Sequence, residues 1–458
     1  MGMAAAASAA VGALTTPVLA WTVTAEDVGR FNLLMVYVGL GVVISCLGLD
    51  QAYVRFYHNA RVRGRLLVAA MLLPTAVSGV LAGAILVAPG WFAEQAFDLR
   101  AASVGVGLAA ATVLNVIYRF AAVQIRMAES PGALLVNQVV PKVILICAVL
   151  LASAVGAVAE FEFIIWVYAA GLAAALVVWS TRLFSRFPVL HAEPMGEVEL
   201  RPMLRYGVPL TASALAFWLA ASTGVVGLRA LASIQEVALY ALALSFALPA
   251  SLLQVVLASV WAPIVFRWND DEAREQLPKA QRLVSASALW IFLILGCCSW
   301  VVHWLLPSQY AGVEYMIPAA MAPSIWYAVS EVTAVGIHIR KRTSLLAFAS
   351  AAAAAVGVTA IVPLAAALGA RGALLSTMAA YGTLLVVRTE MSARVWKSMP
   401  RRRMYQQAAL IGVLATSFLF AGPFLGARVY LMWGTAVVIL VLIELREKNR
   451  RSRVVRVA

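Results

Sequence analysis

Runs of about twenty apolar residues recur from one end of this 458-residue chain to the other, and each can cross about 30 Å of hydrocarbon. The chain is 63% hydrophobic and only 12% charged, whereas a soluble domain carries about a quarter of its residues charged and stays dispersed by them. The runs are continuously apolar rather than alternating, so they read as helices and not as barrel strands. The expected fold is an all-α polytopic membrane protein. Fourteen spans are read, at about 3–21, 32–52, 66–88, 102–124, 133–154, 162–182, 205–228, 237–263, 282–306, 314–338, 344–367, 371–391, 404–424 and 426–444.

The net charge of +14 sits in short gaps between these runs, which points to membrane topology rather than to nucleic acid. Alternate gaps differ sharply. One set holds Arg55, Arg61, Arg63 and Arg65, then Arg119 and Arg126, then Arg182, Arg186, Arg201 and Arg205. It continues with Arg267, Arg274, Lys279 and Arg282, with Arg340, Lys341 and Arg342, and with "ARVWKSMPRRR" and the basic tail. The other set holds single cations (Arg30, Arg100, Arg229, Arg371, Arg428) beside Glu26, Asp27, Glu94, Asp98, Glu160 and Glu162. Cytoplasmic loops are the Lys/Arg-rich ones, so both termini are expected inside. The four cysteines lie within apolar runs, which indicates neither a disulfide framework nor a metal site. The first run lacks a basic leader region and reads as an uncleaved first helix. No loop is long enough for a soluble domain, so catalytic residues and cofactors are not expected, and function rests on helices and short turns.

The turn "TAEDVGRFNLL" (24–34) aligns without gaps on "SIQEVALYALA" (233–243), matching Asp27 with Glu236, Val28 with Val237 and Phe31 with Tyr240. The helices launched there end at Arg-aromatic pairs, Arg55–Phe56 and Arg267–Trp268. Six spans, an even number, separate the copies, which makes the halves parallel repeats about an axis along the membrane normal. The expected division is an N-terminal six-helix lobe at 1–190, a linker at 191–204 and a second six-helix lobe at 205–395. Two further helices follow at 404–444, then a cytoplasmic tail at 445–458.

Fourteen spans, the "EDVGRFNLL" turn and above all "GLDQAYVRFYH" (48–58) resemble the polysaccharide transporters. These are the O-antigen, capsule and exopolysaccharide flippases of the multidrug/oligosaccharidyl-lipid/polysaccharide exporter (MOP) superfamily. The resemblance implies two lobes around a central cavity and a lipid-linked oligosaccharide of the undecaprenyl diphosphate type. It further implies movement from the inner to the outer leaflet of the cytoplasmic membrane by alternating access. The partners it implies are the lipid-linked glycan, membrane lipids, and candidate polymerase and glycosyltransferases of the same pathway, with no nucleic acid. The alternatives are a multidrug or organic-cation exporter, which would want deep carboxylates, and a lipid II-type flippase. A membrane glycosyltransferase would want larger outer loops.

Charges deep in a span cost at least about 2.5–3.5 kcal/mol each and ask for a reason. Lys142 lies mid-span in "VNQVVPKVIL", with Asn137 and Gln138 one turn before it. Pro141 removes the hydrogen bond to the Asn137 carbonyl, which leaves a polar backbone group in need of a partner. Lys142 is either a cavity cation or half of a structural ion pair. Glu331, in "WYAVSEVTAVGIHIRKR", is either a proton-coupling carboxylate or the partner of a base such as Lys142. Arg119 shares a helix face with Asn115 and Tyr118; a guanidinium there suits a diphosphate, and snorkelling explains it as well. Gln254 follows Pro249 and reads as a substrate contact or an interhelical hydrogen bond. The stretch "GLDQAYVRFYHNARVRGR" (48–65) is expected to finish one long helix running from about 32 to 59. Its arginines at 61, 63 and 65 orient the span, while Asp50, Gln51 and Arg55 form a candidate inner gate or substrate-entry surface. Substrate contacts are therefore expected from Lys142, Arg119, Arg55, Asn137, Gln138, Gln51 and Gln254, and coupling or gating from Glu331 and Asp50.

Overall fold

The computed structural model describes residues 2–60, 62–186, 200–251, 253, 257, 270–340, 342, 344–396 and 400–442. Gln254, Arg267–Trp268, most of the linker and the basic tail lie outside the described residues. Among the described residues there is no strand, and ten helices are long and apolar enough to cross a membrane. This is an all-α polytopic membrane protein, as its apolar runs require. The helices are α1 (Gly2–Thr22), α2 (Ala25–Cys46), α3 (Leu49–Phe56), α4 (Arg63–Val87), α5 (Pro89–Phe97), α6 (Ala102–Met127), α7 (Pro131–Ala154), α8 (Phe161–Arg186), α9 (Leu200–Leu231) and α10 (Ile234–Phe246). They continue with α11 (Asp270–Cys297), α12 (Ile317–Thr333), α13 (Ser344–Leu368), α14 (Ala370–Val395), α15 (Arg402–Leu425) and α16 over 429–442. Helix occupies every expected span, although the span at 237–263 is described mainly in its first half.

The single long helix expected over 32–59 is corrected. It stops at Cys46, and α3 restarts at Leu49 as a separate element. Leu47 and Gly48 both adopt left-handed conformations, with φ of 48° and 67°. The cause is non-local. A Cβ on Gly48 would run into the carbonyl oxygen of Gly207 in α9, and a Cβ on Gly207 would lie 2.6 Å from the Leu47 oxygen. Two glycines thus let the turn and α9 meet backbone to backbone, a closeness no side chain permits. Leu49, Ala52 and Tyr53 are buried on one side of α3, while Gln51 and Arg55 are exposed.

By compactness the chain divides into two units, Met1–Ser245 with Gly357–Ala373, and Phe246–Val356 with Leu374–Ala458. In the first, the two repeated turns share more than their aligned residues. The Thr24 hydroxyl accepts from the Asp27 amide at 3.2 Å, and the Ser233 hydroxyl accepts from the Glu236 amide at 3.3 Å. Both are N-caps that satisfy a free N–H in the first helical turn. The turns also meet each other. Gln235 donates to Glu26 at 2.7 Å, and Gly29 lies so close to the Ile234 carbonyl that a Cβ would collide with it. In the second unit the last helix is built into the core. Trp433 is fully buried, donates to the Leu293 carbonyl at 2.7 Å and lies against Phe292 and Phe418. Gly296 leaves the room its ring occupies.

Candidate functional site

The polar residues of α7 are placed by the proline within it. Pro141 has no N–H for the Asn137 carbonyl, and that carbonyl instead accepts from the Tyr118 hydroxyl of α6 at 3.1 Å. The freed backbone group therefore ties α7 to α6. One residue further on, Lys142 reaches α1, where its ammonium donates to the Ser8 carbonyl at 2.6 Å and the Ser8 hydroxyl at 2.9 Å. Gly12, one turn along α1, makes room for it, since a Cβ there would lie 3.0 Å from Nζ. No carboxylate pairs with Lys142 among the described residues. The structural ion pair entertained from the sequence is replaced by neutral oxygens.

Lys142 lines a half-open cavity of about 260 Å³ between α1, α2, α6, α7 and α8. Its other polar walls are Thr15, Thr16, Asn32, Asn115, Tyr118, Gln138 and Tyr168. Asn115 and Tyr168 fix each other: the Asn115 amide donates to the Tyr168 hydroxyl at 3.0 Å, and that hydroxyl lies 3.2 Å from the Asn115 carbonyl oxygen. The Tyr168 ring stands edge-on to Phe31 at 6.2 Å. Of the expected contacts on α7, Gln138 faces the cavity. Asn137 is 3% exposed, is not among the lining residues, and leaves both amide atoms without a hydrogen-bond partner among the described residues.

Three other expected residues come together away from the cavity. Arg119 of α6 holds Asp50 of α3 through two hydrogen bonds to one oxygen, at 2.8 and 3.0 Å. Gln51 donates to the same oxygen at 3.1 Å. The Asp50 side chain is nearly buried and that of Arg119 is half exposed. The shared face of Asn115, Tyr118 and Arg119 thus splits, the first two entering the cavity wall and the third reaching α3. Arg55 takes no carboxylate among the described residues; its guanidinium lies over the Tyr206 ring of α9 at 4.4 Å. Gln254 falls outside the described residues.

Glu331 lies on α12 in the second unit and pairs at 2.6 Å with Arg388 of α14, not with Lys142. Arg388 is a buried base that the sequence reading does not single out, although it lies inside the expected span at 371–391. It also donates to the Ser330 hydroxyl at 3.2 Å and stacks on Tyr327 at 4.9 Å. Just beyond the pair, the hydroxyls of Thr333 and Thr389 lie 2.8 Å apart, which continues the polar seam between the two helices.

A family model described as polysaccharide biosynthesis protein matches residues 1–268, which include both polar clusters of the first unit. The chain belongs to this family. Among solved structures, the lipid II flippase MurJ in an inward closed conformation is similar over 96% of this chain and 99% of its own, at 12% identity and a TM-score of 0.65. The eukaryotic MATE transporter AtDTX14 is similar over 92% of this chain and 96% of its own, at 13% identity and a TM-score of 0.51. An inward-facing multidrug resistance MATE family transporter of the MOP superfamily is similar over 88% and 96%, at 14% identity and a TM-score of 0.53. No curated protein matches the chain. This member of the polysaccharide biosynthesis family therefore has the fold of MOP transporters, the superfamily its sequence resembles, and these neighbours in fold are a flippase and two transporters.

Proposed function

We propose that the chain flips a lipid-linked oligosaccharide, on an undecaprenyl diphosphate-type carrier, from the inner to the outer leaflet of the cytoplasmic membrane for surface polysaccharide synthesis. The observation that carries this reading is a cation within a membrane span that has no carboxylate partner among the described residues. The Lys142 ammonium is held by two neutral Ser8 oxygens on the wall of a cavity that no carboxylate lines among the described residues. A buried ion is costly unless another charge accompanies it, so such a site favours an anionic ligand. An exporter of organic cations would be served by the reverse arrangement.

In this reading the neutral amides and hydroxyls beside Lys142 contact the glycan, while the lipid tail stays in the bilayer. The Asp50–Arg119–Gln51 cluster is the inner gate, next to the inner positive loop at 61–65, with both termini cytoplasmic. Arg55 draws the anionic head group toward that gate. Gln254 is a further glycan contact. Glu331, held by Arg388, is the coupling carboxylate, and the pair parts when Glu331 takes up a proton. Candidate partners are the polymerase and glycosyltransferases that consume and supply the glycan.

Deleting the gene in its own cell tests the whole reading. Loss of a surface polysaccharide, with its lipid-linked precursor trapped inside, is expected; unchanged glycan with altered drug resistance refutes it. For the coupling role, transport by Glu331→Gln should lose its response to an imposed pH gradient, and an unchanged response removes Glu331 from coupling.

A further inference from the structure

We propose that the cavity beside Lys142 is a subsite for one carboxylate-bearing sugar ring of the transported glycan, and that the carrier diphosphate is bound elsewhere. This rests on the flippase reading and narrows it to an acidic glycan.

The charge of the site comes first. Of the expected cations of the first unit, Arg119 is committed to Asp50 and Arg55 lies over Tyr206, so among the described residues Lys142 alone brings charge to the cavity wall. An ammonium has three N–H donors. Two go to Ser8, which leaves one to point at a ligand. One charge with one remaining donor matches a single carboxylate oxygen. A diphosphate carries more charge on more oxygens, and the planar fork of arginine suits it better than a lone point charge.

Shape and wall chemistry agree. A volume of about 260 Å³ falls just under the roughly 300–1,000 Å³ of pockets that bury drug-sized molecules. The cavity has room for one ring, and its open side lets the rest of a glycan extend beyond it. The groups facing that ring are neutral: Gln138, Asn32 and the Thr15 and Thr16 hydroxyls can exchange hydrogen bonds with sugar hydroxyls, and the Tyr168 and Phe31 rings border the same space. The Asn115–Tyr168 pair is already hydrogen bonded, so that wall stands in place before a ligand arrives. Such a set reads hydroxyls with a single charge among them, which describes a uronate-type residue.

The first test is the composition of the lipid-linked precursor trapped in the deletion strain. A repeat unit containing a uronic or other carboxylate-bearing sugar is expected. A trapped precursor that is wholly neutral overturns the subsite while leaving the flippase reading intact; no trapped precursor refutes the flippase reading itself.

The second test uses the full chain purified into nanodiscs, with the unfolding midpoint measured in D-glucuronate, D-glucose and inorganic diphosphate. Glucuronate should raise the midpoint more than glucose, and diphosphate should not act through Lys142. Lys142→Gln should weaken the glucuronate response about tenfold or more, the loss of one charged hydrogen bond, and Lys142→Arg should retain most of it. Gly12→Leu, which fills the space beside Nζ and leaves the charge in place, should weaken it as well. Equal responses to glucuronate and glucose, no response to glucuronate, or a Lys142-dependent response to diphosphate alone each overturn the proposal.

Discussion

Truncating Glu331 to alanine strips Arg388 of its only carboxylate partner among the described residues. The Arg388 side chain is 8% exposed and that of Glu331 22% exposed, with 2.6 Å between the charged atoms. What remains around the guanidinium is the Ser330 hydroxyl at 3.2 Å and the face of Tyr327 at 4.9 Å. Neither neutralises a full charge. Breaking one side of such a buried pair costs about 3–5 kcal/mol, most of it the penalty of the stranded ion. Arg388→Ala should cost less, because Glu331 is the more exposed partner. The double variant Glu331→Ala/Arg388→Ala removes both charges and should sit well above the sum of the singles, with a coupling energy of about 2–3 kcal/mol. Midpoints of unfolding for the four proteins in one detergent, followed by tryptophan fluorescence, give the cycle. Single substitutions that add to within about 0.5 kcal/mol, or a Glu331→Ala cost below about 1 kcal/mol, refute the view that this pair holds α12 to α14.

Other perturbations have equally definite outcomes. Gly48→Ala places a methyl against the Gly207 carbonyl at a φ of 67°; the left-handed conformation alone costs about 1–2 kcal/mol and the clash adds to it, so a reduced yield of folded protein by size-exclusion fluorescence is expected, and a wild-type yield counts against the close approach. Tyr118→Phe deletes the donor to the Asn137 carbonyl and should lower stability by about 1–3 kcal/mol in thermal unfolding, the cost of an unsatisfied buried acceptor; restoring the missing amide with Pro141→Ala should recover part of that loss. Asp50→Asn removes the charge that holds Arg119 and should raise the accessibility of the buried Cys46, with the other three cysteines replaced by serine, to a water-soluble maleimide, whereas unchanged labelling argues against a gate at this point.

Much of this protein was legible from residue order alone because lipid imposes strict local rules. An apolar run of twenty residues has one solution in a bilayer, and α6 at Ala102–Met127 and α7 at Pro131–Ala154 lie within a few residues of where their runs placed them. Pro141 likewise announced an orphaned carbonyl at Asn137, a consequence of covalent geometry four residues away. Its partner was not announced, since Tyr118 sits on another helix. The same distinction explains the misses. The break at Leu47–Gly48 is dictated by Gly207, and nothing near "CLGLD" marks it, because a lone glycine is tolerated within a helix. Glu331 and Lys142 were each recognisable as buried charges, yet their partners, Arg388 and Ser8, depend on which helices pack together.

The two left-handed residues between α2 and α3 also isolate one helix from the angular phase of the other. In a continuous helix, inserting one residue rotates everything beyond it by about 100°. Here α3 takes its bearing from the contact of Gly48 with Gly207, not from the thread of α2. Insertions or deletions within 31–46 would therefore swivel the cavity-facing side of α2, where Phe31, Asn32 and Met35 lie, and leave Asp50 still aimed at Arg119. The cavity walls on α2 and the ion pair at Asp50 can thus drift independently through evolution, with α9 serving as the fixed point for α3.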